Sequence, residues 1–329
     1  MFQRLKTIWK PELFHGPSRH EHFFEGWYYR FVDLSSSKSV IVIPALYVNR
    51  KKERSYACIQ IMDSDTHTSC FHQFKQDSVT IDKHNFDLSI SSNRFTTEYL
   101  TLDIDEPGRR VKGTIRLTNL RPWPVTLFSP GAMGWYAFMP FMQCYHGVLS
   151  FDHRIEGRLV IDDREYDFSP GRGYLEKDWG HRFPEGYLWL QSNQFPSAGS
   201  SVFVSIARIP WIRGAFRGLL AALLHNGRLY RFTTYTGASL DTIRVDEQHI
   251  RLSITDHKYR LDIEALRKPG GLLYGPDGQA FRKNILESLN GEVTATLLRH
   301  QQKSPLFRET AFPAAMEVNG RLDHILNIR

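Results

Sequence analysis

With 329 residues, 41% of them hydrophobic and 23% charged, the chain is too long for one ordinary domain, about right for two, and able to bury a core without disulfides. Its net charge of +7 is scattered, and its densest basic run, Arg50-Lys51-Lys52-Glu53-Arg54, is broken by a glutamate and reads as a solvated turn, which argues against a nucleic-acid surface. No run reaches the ~18 apolar residues of a membrane-spanning helix.

The first ten residues alternate charged and apolar side chains. They lack the apolar centre of a signal peptide and are short for a transit peptide, so the expected start is at or near Met1 and the expected location cytoplasmic. His15, His20 and His22 follow without a recognisable ligand set, and no metal or other cofactor is expected. Phe24 to Arg30 begins a strand, with Trp27 and Tyr29 on one face and Tyr28 and Arg30 on the other. A Gly-Trp on the first strand of a lipocalin-type barrel plugs its floor, often under a stacked arginine, so Trp27 and Arg30 read as framework. Glu25, an acid beside aromatics, is a candidate general acid, because desolvation raises a carboxyl pKa.

Period-2 alternation marks further strands at Val40–Ile43, Leu100–Ile104, Gly113–Leu117, Arg158–Ile161 and Arg251–Ile254. Pro140 to Ser150 reads as one more, with Cys144, His146 and Val148 on one face and Gln143, Tyr145 and Gly147 on the other. Its Cys144-Tyr145-His146 run is discounted as a nucleophile beside a base, since adjacent strand residues face opposite ways. Cys58, Cys70 and Cys144 form no CxxC pair and read as reduced thiols. Gly173 to Pro184 places charges, a tryptophan and a histidine between glycines and suits a loop. The strand after it points Tyr187, Trp189, Gln191 and Asn193 one way and Leu188, Leu190 and Ser192 the other. The leucine face belongs in a core; the aromatic and amide face suits a ligand cavity.

Ile209 to Arg217 interleaves Trp211, Ile212 and Phe216 with arginines, as a loop dipping into lipid headgroups or capping a barrel mouth would. Leu219–His225, Asn226-Gly227 and Arg228–Thr234 read as a hairpin. Pro107-Gly108, Asp162-Asp163, Pro276-Asp277-Gly278, Asn290-Gly291 and Asn319-Gly320 are further turn signals. Many short strands with scarce helix predict an all-β chain of sandwich or barrel halves. Phe23-Phe24-Glu25-Gly26-Trp27 recurs as Phe183-Pro184-Glu185-Gly186-Tyr187, 160 residues on. That repeat suggests a duplication, with domains 1–172 and 173–329 and the boundary between Pro170 and Tyr174.

At these segments the sequence resembles the tocopherol cyclase family. The resemblance rests on Phe24-Glu25-Gly26-Trp27-Tyr28, Pro140-Phe141-Met142-Gln143-Cys144-Tyr145-His146-Gly147, Tyr174-Leu175-Glu176-Lys177-Asp178-Trp179-Gly180 with Phe183-Pro184, and Trp189-Leu190-Gln191-Ser192-Asn193. It is weaker through His225–Phe232 and Glu287–Val293. It implies two lipocalin-like (calycin-type) halves and a hydrophobic isoprenoid ligand such as a prenylated quinol, handled without metal, nucleotide or redox cofactor. Ring closure would need an acid, for which Glu176 and Glu25 are the candidates. Trp27, Tyr145, Trp179 and Trp189 would wall the cation, and Lys177, His146, Gln191 and Asn193 would orient the head or take its proton. Tyr28, Asp178 and Tyr187 complete the expected substrate contacts. A hydrophobic carrier without chemistry and a terpenoid hydratase are the alternatives, and membrane contact through the Trp211 loop is a further expectation.

Overall fold

The computed structural model describes residues 7–16, 21–49, 55–106 and 109–320, which fold as two all-β units. Apart from Thr7, helix among the described residues is confined to three short 3-10 turns. The basic run at 50–54, His20 and Pro107-Gly108 lie outside the described residues.

The first unit comprises Met1–Phe183 and Leu273–Asn284. Its strands are β1 (His22–Asp33), β2 (Ser39–Asn49), β3 (Tyr56–Asp63), β4 (Ser69–Lys75), β5 (Val79–Ile81), β6 (Asp87–Ile90), β7 (Asn93–Thr96), β8 (Tyr99–Glu106), β9 (Arg109–Thr118), β10 (Cys144–Ile161), β11 (Arg164–Asp167) and β12 (Gly171–Gly180). They pair antiparallel in the order β4-β3-β2-β1-β12-β10-β9-β8-β7-β6-β5, with β11 beside β10. Residues from opposite ends of this path, such as Ile59, Trp27, Phe95 and Leu159, share one core, so the sheet curls around them. Trp27 stacks on Phe86 with ring centroids 4.9 Å apart. The cation over its indole is Lys177, not the expected Arg30, whose place on β1 puts it on the opposite face.

The second unit, Pro184–Leu272 with Ile285–Arg329, is built on β13 (Gly186–Ser192), β14 (Ser201–Trp211), β15 (Gly214–His225), β16 (Arg228–Thr233), β17 (Ser239–Val245), β18 (His249–Thr255) and β19 (Tyr259–Leu266). β20 (Gly271–Pro276) follows, then β21 (Phe281–Arg299) and β22 (Phe307–Gly320). Its path, β16-β15-β14-β13-β22-β21-β19-β18-β17, repeats the first: each unit pairs its first strand with its last, and the long penultimate ladder strand with that last one. The recurring Glu-Gly-aromatic motif opens β1 in one unit and β13 in the other. The fold is therefore two antiparallel, lipocalin-like β halves, as expected.

Four local expectations change. The 172/173 boundary falls inside β12, which is paired on both sides within the first sheet; the units divide after Phe183, and Leu273–Asn284 returns to the first. The segment read as a loop from Gly173 is β12 as far as Gly180, because its charges alternate between two buried faces. Asn290-Gly291 is no turn but a bulge in β21, where the register shifts on either side of Gly291. The Trp211 segment is a hairpin: Ile209–Trp211 end β14, Gly214–Arg217 begin β15, Trp211 packs edge-on against Phe216, and Ile212 at the tip is 76% exposed. By contrast Asn226 and Gly227, with φ of 49° and 71°, form the predicted tight turn between β15 and β16.

Candidate functional site

β12 carries most of the expected site, and its alternation sorts the residues. Leu175, Lys177 and Trp179 fall on the core side of the sheet; Tyr174, Glu176 and Asp178 fall on the other. In register with them, β1 places Trp27 opposite Lys177 and Tyr28 opposite Glu176, and β10 places His146 opposite Asp178. The result is two separate charged clusters, back to back across one sheet.

On the core side Lys177 and Glu25 are completely buried and directly paired. The ammonium also donates to the carbonyls of Pro11, at 3.1 Å, and Leu13, contacts His15 Nδ1 at 2.9 Å, and lies 4.9 Å from the centres of both Trp27 and Trp179. Glu25 accepts the backbone N–H groups of His15 (2.9 and 3.1 Å) and Gly16 (3.3 Å). Burial alone would raise the Glu25 pKa, but the Lys177 charge and the His15 contacts reverse this and hold it below its ordinary value. His15 stacks on Trp179 at 4.1 Å, and burial together with Lys177 lowers its pKa to about 4. This cluster fastens the segment before β1 across the sheet. A carboxylate so held does not suit a proton donor.

On the other side His146 is the centre. Its Nδ1 lies 2.8 Å from Asp178 Oδ1, and its Nε2 lies 3.4 Å from Glu176 Oε2. Burial disfavours the imidazolium, but the two carboxylates outweigh it and lift the pKa to about 9. Tyr174 Oη donates to Glu176 Oε2 at 2.5 Å; burial and Glu176 push the phenol well above its usual range, so it stays a donor. Tyr28 packs edge-on against Tyr174 at 6.4 Å. Cys144 and His146, two residues apart, share this face after all, and Cys144 Sγ contacts Asp178 Oδ1 at 3.8 Å. Burial and Asp178 nevertheless raise the thiol's pKa, which suits no nucleophile.

His146, Glu176 and Asp178 are the one set of described residues grouped as metal ligands would be. The carboxylates, however, address opposite nitrogens of one ring, whereas a single ion takes one nitrogen. The arrangement suits a shared proton better than an ion. His15 and His22 do not converge on a metal either, since His15 faces Glu25 and Lys177 while His22 meets Tyr47 at 2.5 Å.

An apolar cavity of the first unit is lined by Pro11, Met133, Met142, Tyr145, His146 and Trp179 among others. Tyr145 and Trp179 stack there with centroids 5.5 Å apart. Trp27 does not line it and lies in the core. Tyr187, Trp189, Gln191 and Asn193 belong to the second unit. All four are buried; Tyr187, Trp189 and Gln191 occupy the face of β13 opposite Leu188 and Leu190, and Tyr187 donates to Glu317 at 2.6 Å. Tyr174 is a further member of the His146 cluster, and its signal in the sequence is the period-2 relation to Glu176 and Asp178.

A family model described as "Tocopherol cyclase-like" matches residues 109–320, well over half the sequence. The chain belongs to this family. Its relatives include a probable chloroplastic tocopherol cyclase of Oryza sativa subsp. japonica, 27% identical over 170 residues that cover 47% of this chain and 34% of that protein. A chloroplastic tocopherol cyclase of Zea mays is 26% identical over 114 residues, 32% of this chain and 23% of that one. The chain thus spans about a third or less of the length of these tocopherol cyclases. Among solved structures, CghA with Sch210972 superposes with a TM-score of 0.55 at 13% identity, over 91% of this chain and 89% of that one. Kievitone hydratase of Nectria haematococca gives 0.51 at 13%, over 93% and 91%. A putative AttH of Nitrosomonas europaea gives 0.52 at 12%, over 92% and 93%. At these identities the likeness establishes the shared fold of the family member described here.

Proposed function

We propose that the chain is an acid-dependent isoprenoid cyclase that closes a chromanol ring on a prenylated quinol. The observation that carries this is the His146 imidazolium, held between Asp178 and Glu176, with His146 at the wall of an apolar, aromatic cavity. His146 is the member of this cluster that lines the cavity, so the imidazolium, kept charged by Asp178 and Glu176, delivers the proton to the prenyl alkene. Trp179 and Tyr145 offer π-faces to the tertiary cation. The phenol oxygen captures the cation, and the neutral His146 takes the phenol proton back, so the reaction is a net isomerisation. Exclusion of water decides between ring closure and hydration. Glu25 and Lys177 are assigned to the framework, Tyr28 stands as a proposed substrate contact, and Tyr187, Trp189, Gln191 and Asn193 stand as proposed ligand contacts of the second unit by itself. Peripheral lipid contact at Ile212 and a cytoplasmic location belong to the same proposal.

The test is incubation of purified protein with a prenylated quinol, with products resolved by mass spectrometry. Chromanol is expected. Loss of a general acid costs about 10²–10⁴-fold, so His146→Gln should fall by that much, Glu176→Gln should fall less because it removes one of the two carboxylates that hold the imidazolium, and Glu25→Gln falls only with its folded fraction. A tertiary alcohol would make the protein a hydratase, and unchanged quinol a carrier. Full activity in the His146 variant would remove the acid assignment.

A further inference from the structure

Between β9 and β10 the first unit carries a long connection, residues 119–143. It holds one arginine and no aspartate or glutamate, and the nearest acids in the sequence are Glu106 and Asp152. Val125 pairs with Pro130 across a tight turn, in which Thr126 and Ser129 exchange backbone hydrogen bonds of 3.0 and 3.3 Å. Leu127 and Phe128 form its tip and are 66% and 80% exposed. Trp9 donates its indole N–H to the Leu127 carbonyl at 3.1 Å and packs edge-on against Phe138, centroids 5.8 Å apart. Phe138 ends the 3-10 turn Gly134–Phe138, whose three-residue period sets the exposed Trp135 on the same side. The tip, Trp9 and the 3-10 turn therefore make one continuous apolar surface. The same connection supplies Pro130, Met133, Ala137 and Met142 to the wall of the apolar cavity. Lys10, next to Trp9, and Arg121, near the start of the connection, are exposed.

We propose that this surface docks on a lipid bilayer, with Leu127, Phe128 and Trp135 entering the headgroup region and Lys10 and Arg121 meeting anionic lipid. Two adjacent large apolar side chains at an exposed tip gain most from leaving water, and a braced turn has little backbone freedom left to lose when they do. Aromatic side chains suit the boundary between water and hydrocarbon. An acid-free connection flanked by basic residues is not repelled by an anionic leaflet, whereas a protein partner of ordinary surface would meet a polar rim that is missing here. A bilayer is also a direct source of ligand for an apolar cavity that shares a wall with the docking surface. The inference goes beyond the ring-closing chemistry and does not depend on it, because lipid binding is measured without substrate.

The experiment sediments the full-length protein with vesicles of phosphatidylcholine, alone and mixed with phosphatidylglycerol. Binding to both is expected, tighter to the mixed vesicles. Leu127→Ser combined with Phe128→Ser should weaken it at least about tenfold with unchanged circular dichroism. Phosphatidylcholine brominated in its acyl chains should quench the tryptophan emission of the wild type, and less so that of Trp135→Phe. No sedimentation with either vesicle, or a double variant that binds like the wild type, overturns the proposal. Binding lost in Ile212→Ser but kept in the double variant would give lipid contact to the second unit and overturn it equally. A dimer in solution that the double variant abolishes would assign the surface to a second copy of the chain, with the same consequence. Should the double variant fail to fold, the quenching still decides: none in the wild type, or no less in Trp135→Phe, ends the proposal.

Discussion

Replacing Glu25 with glutamine asks whether the first unit depends on its buried ion pair or only on the aromatics around it. Glutamine keeps the shape and one oxygen acceptor for the His15 and Gly16 amides but removes the countercharge of Lys177. The ammonium is then buried against the carbonyls of Pro11 and Leu13 and the faces of Trp27 and Trp179. Removing one partner of a buried pair costs about 3–5 kcal/mol. Because those four contacts persist, the expectation is the lower end, about 3 kcal/mol. Glu25→Gln combined with Lys177→Met buries no unpaired charge, so the double variant should be more stable than the sum of the singles by about 1–3 kcal/mol. Urea unfolding followed by tryptophan fluorescence measures the totals, and hydrogen exchange at the His15 and Gly16 amides reports the local loosening. A Glu25→Gln protein within about 1 kcal/mol of wild type, or strict additivity in the double variant, would refute the reasoning.

The pH dependence has three signed components. His146 has a folded pKa of about 9, above its ordinary 6.5, so its contribution is complete below pH 6.5 and lost as pH rises through 9; urea midpoints of His146→Gln should lack that decline. His15 has a folded pKa of about 4, so the unfolded chain binds the proton more readily, and stability should fall as pH drops from 6.5 toward 4. Glu25, held below its ordinary value, adds stability above the usual carboxyl range that is lost as pH falls through its lowered pKa, so Glu25→Gln should flatten the acid side of the same curve. Gly173→Ala would set a methyl 2.2 Å from His153 Nε2 in the core. Overpacking of this kind costs about 1–3 kcal/mol, and a melting temperature unchanged within about 1 °C would contradict the packing described.

What the sequence made legible was local. Asn226-Gly227 announces its turn because two consecutive positive φ values need those residues. The faces of β10 and β13 follow from period two alone. Asn290-Gly291 misleads because a bulge within a long strand draws on the same residues as a turn. Gly173 to Gly180 misleads for a different reason: its charged residues look solvated until their partners are known. Glu25 is 152 positions from Lys177, and His146 is 32 from Asp178. Only strand pairing brings these together, and composition carries no record of pairing. The division of roles between the two carboxyl candidates was equally hidden, since it depends on Lys177 lying beneath one and His146 beside the other.

The closure of each unit on its own first strand has a consequence for biosynthesis. β1 cannot gain its β12 neighbour until some 150 further residues have left the ribosome, so early folding must proceed through the β1–β4 meander with one side of β1 unpaired. Completion comes later still. Phe281 packs with Phe24, Ala45, Tyr47 and Cys58, and Tyr274 exchanges two hydrogen bonds with Gln60, so the N-terminal unit awaits a segment translated after most of the C-terminal one. A gene fragment cut at the apparent midpoint would yield a first half lacking its final piece, and aggregation of such a fragment would reflect the order of translation rather than any weakness in its core.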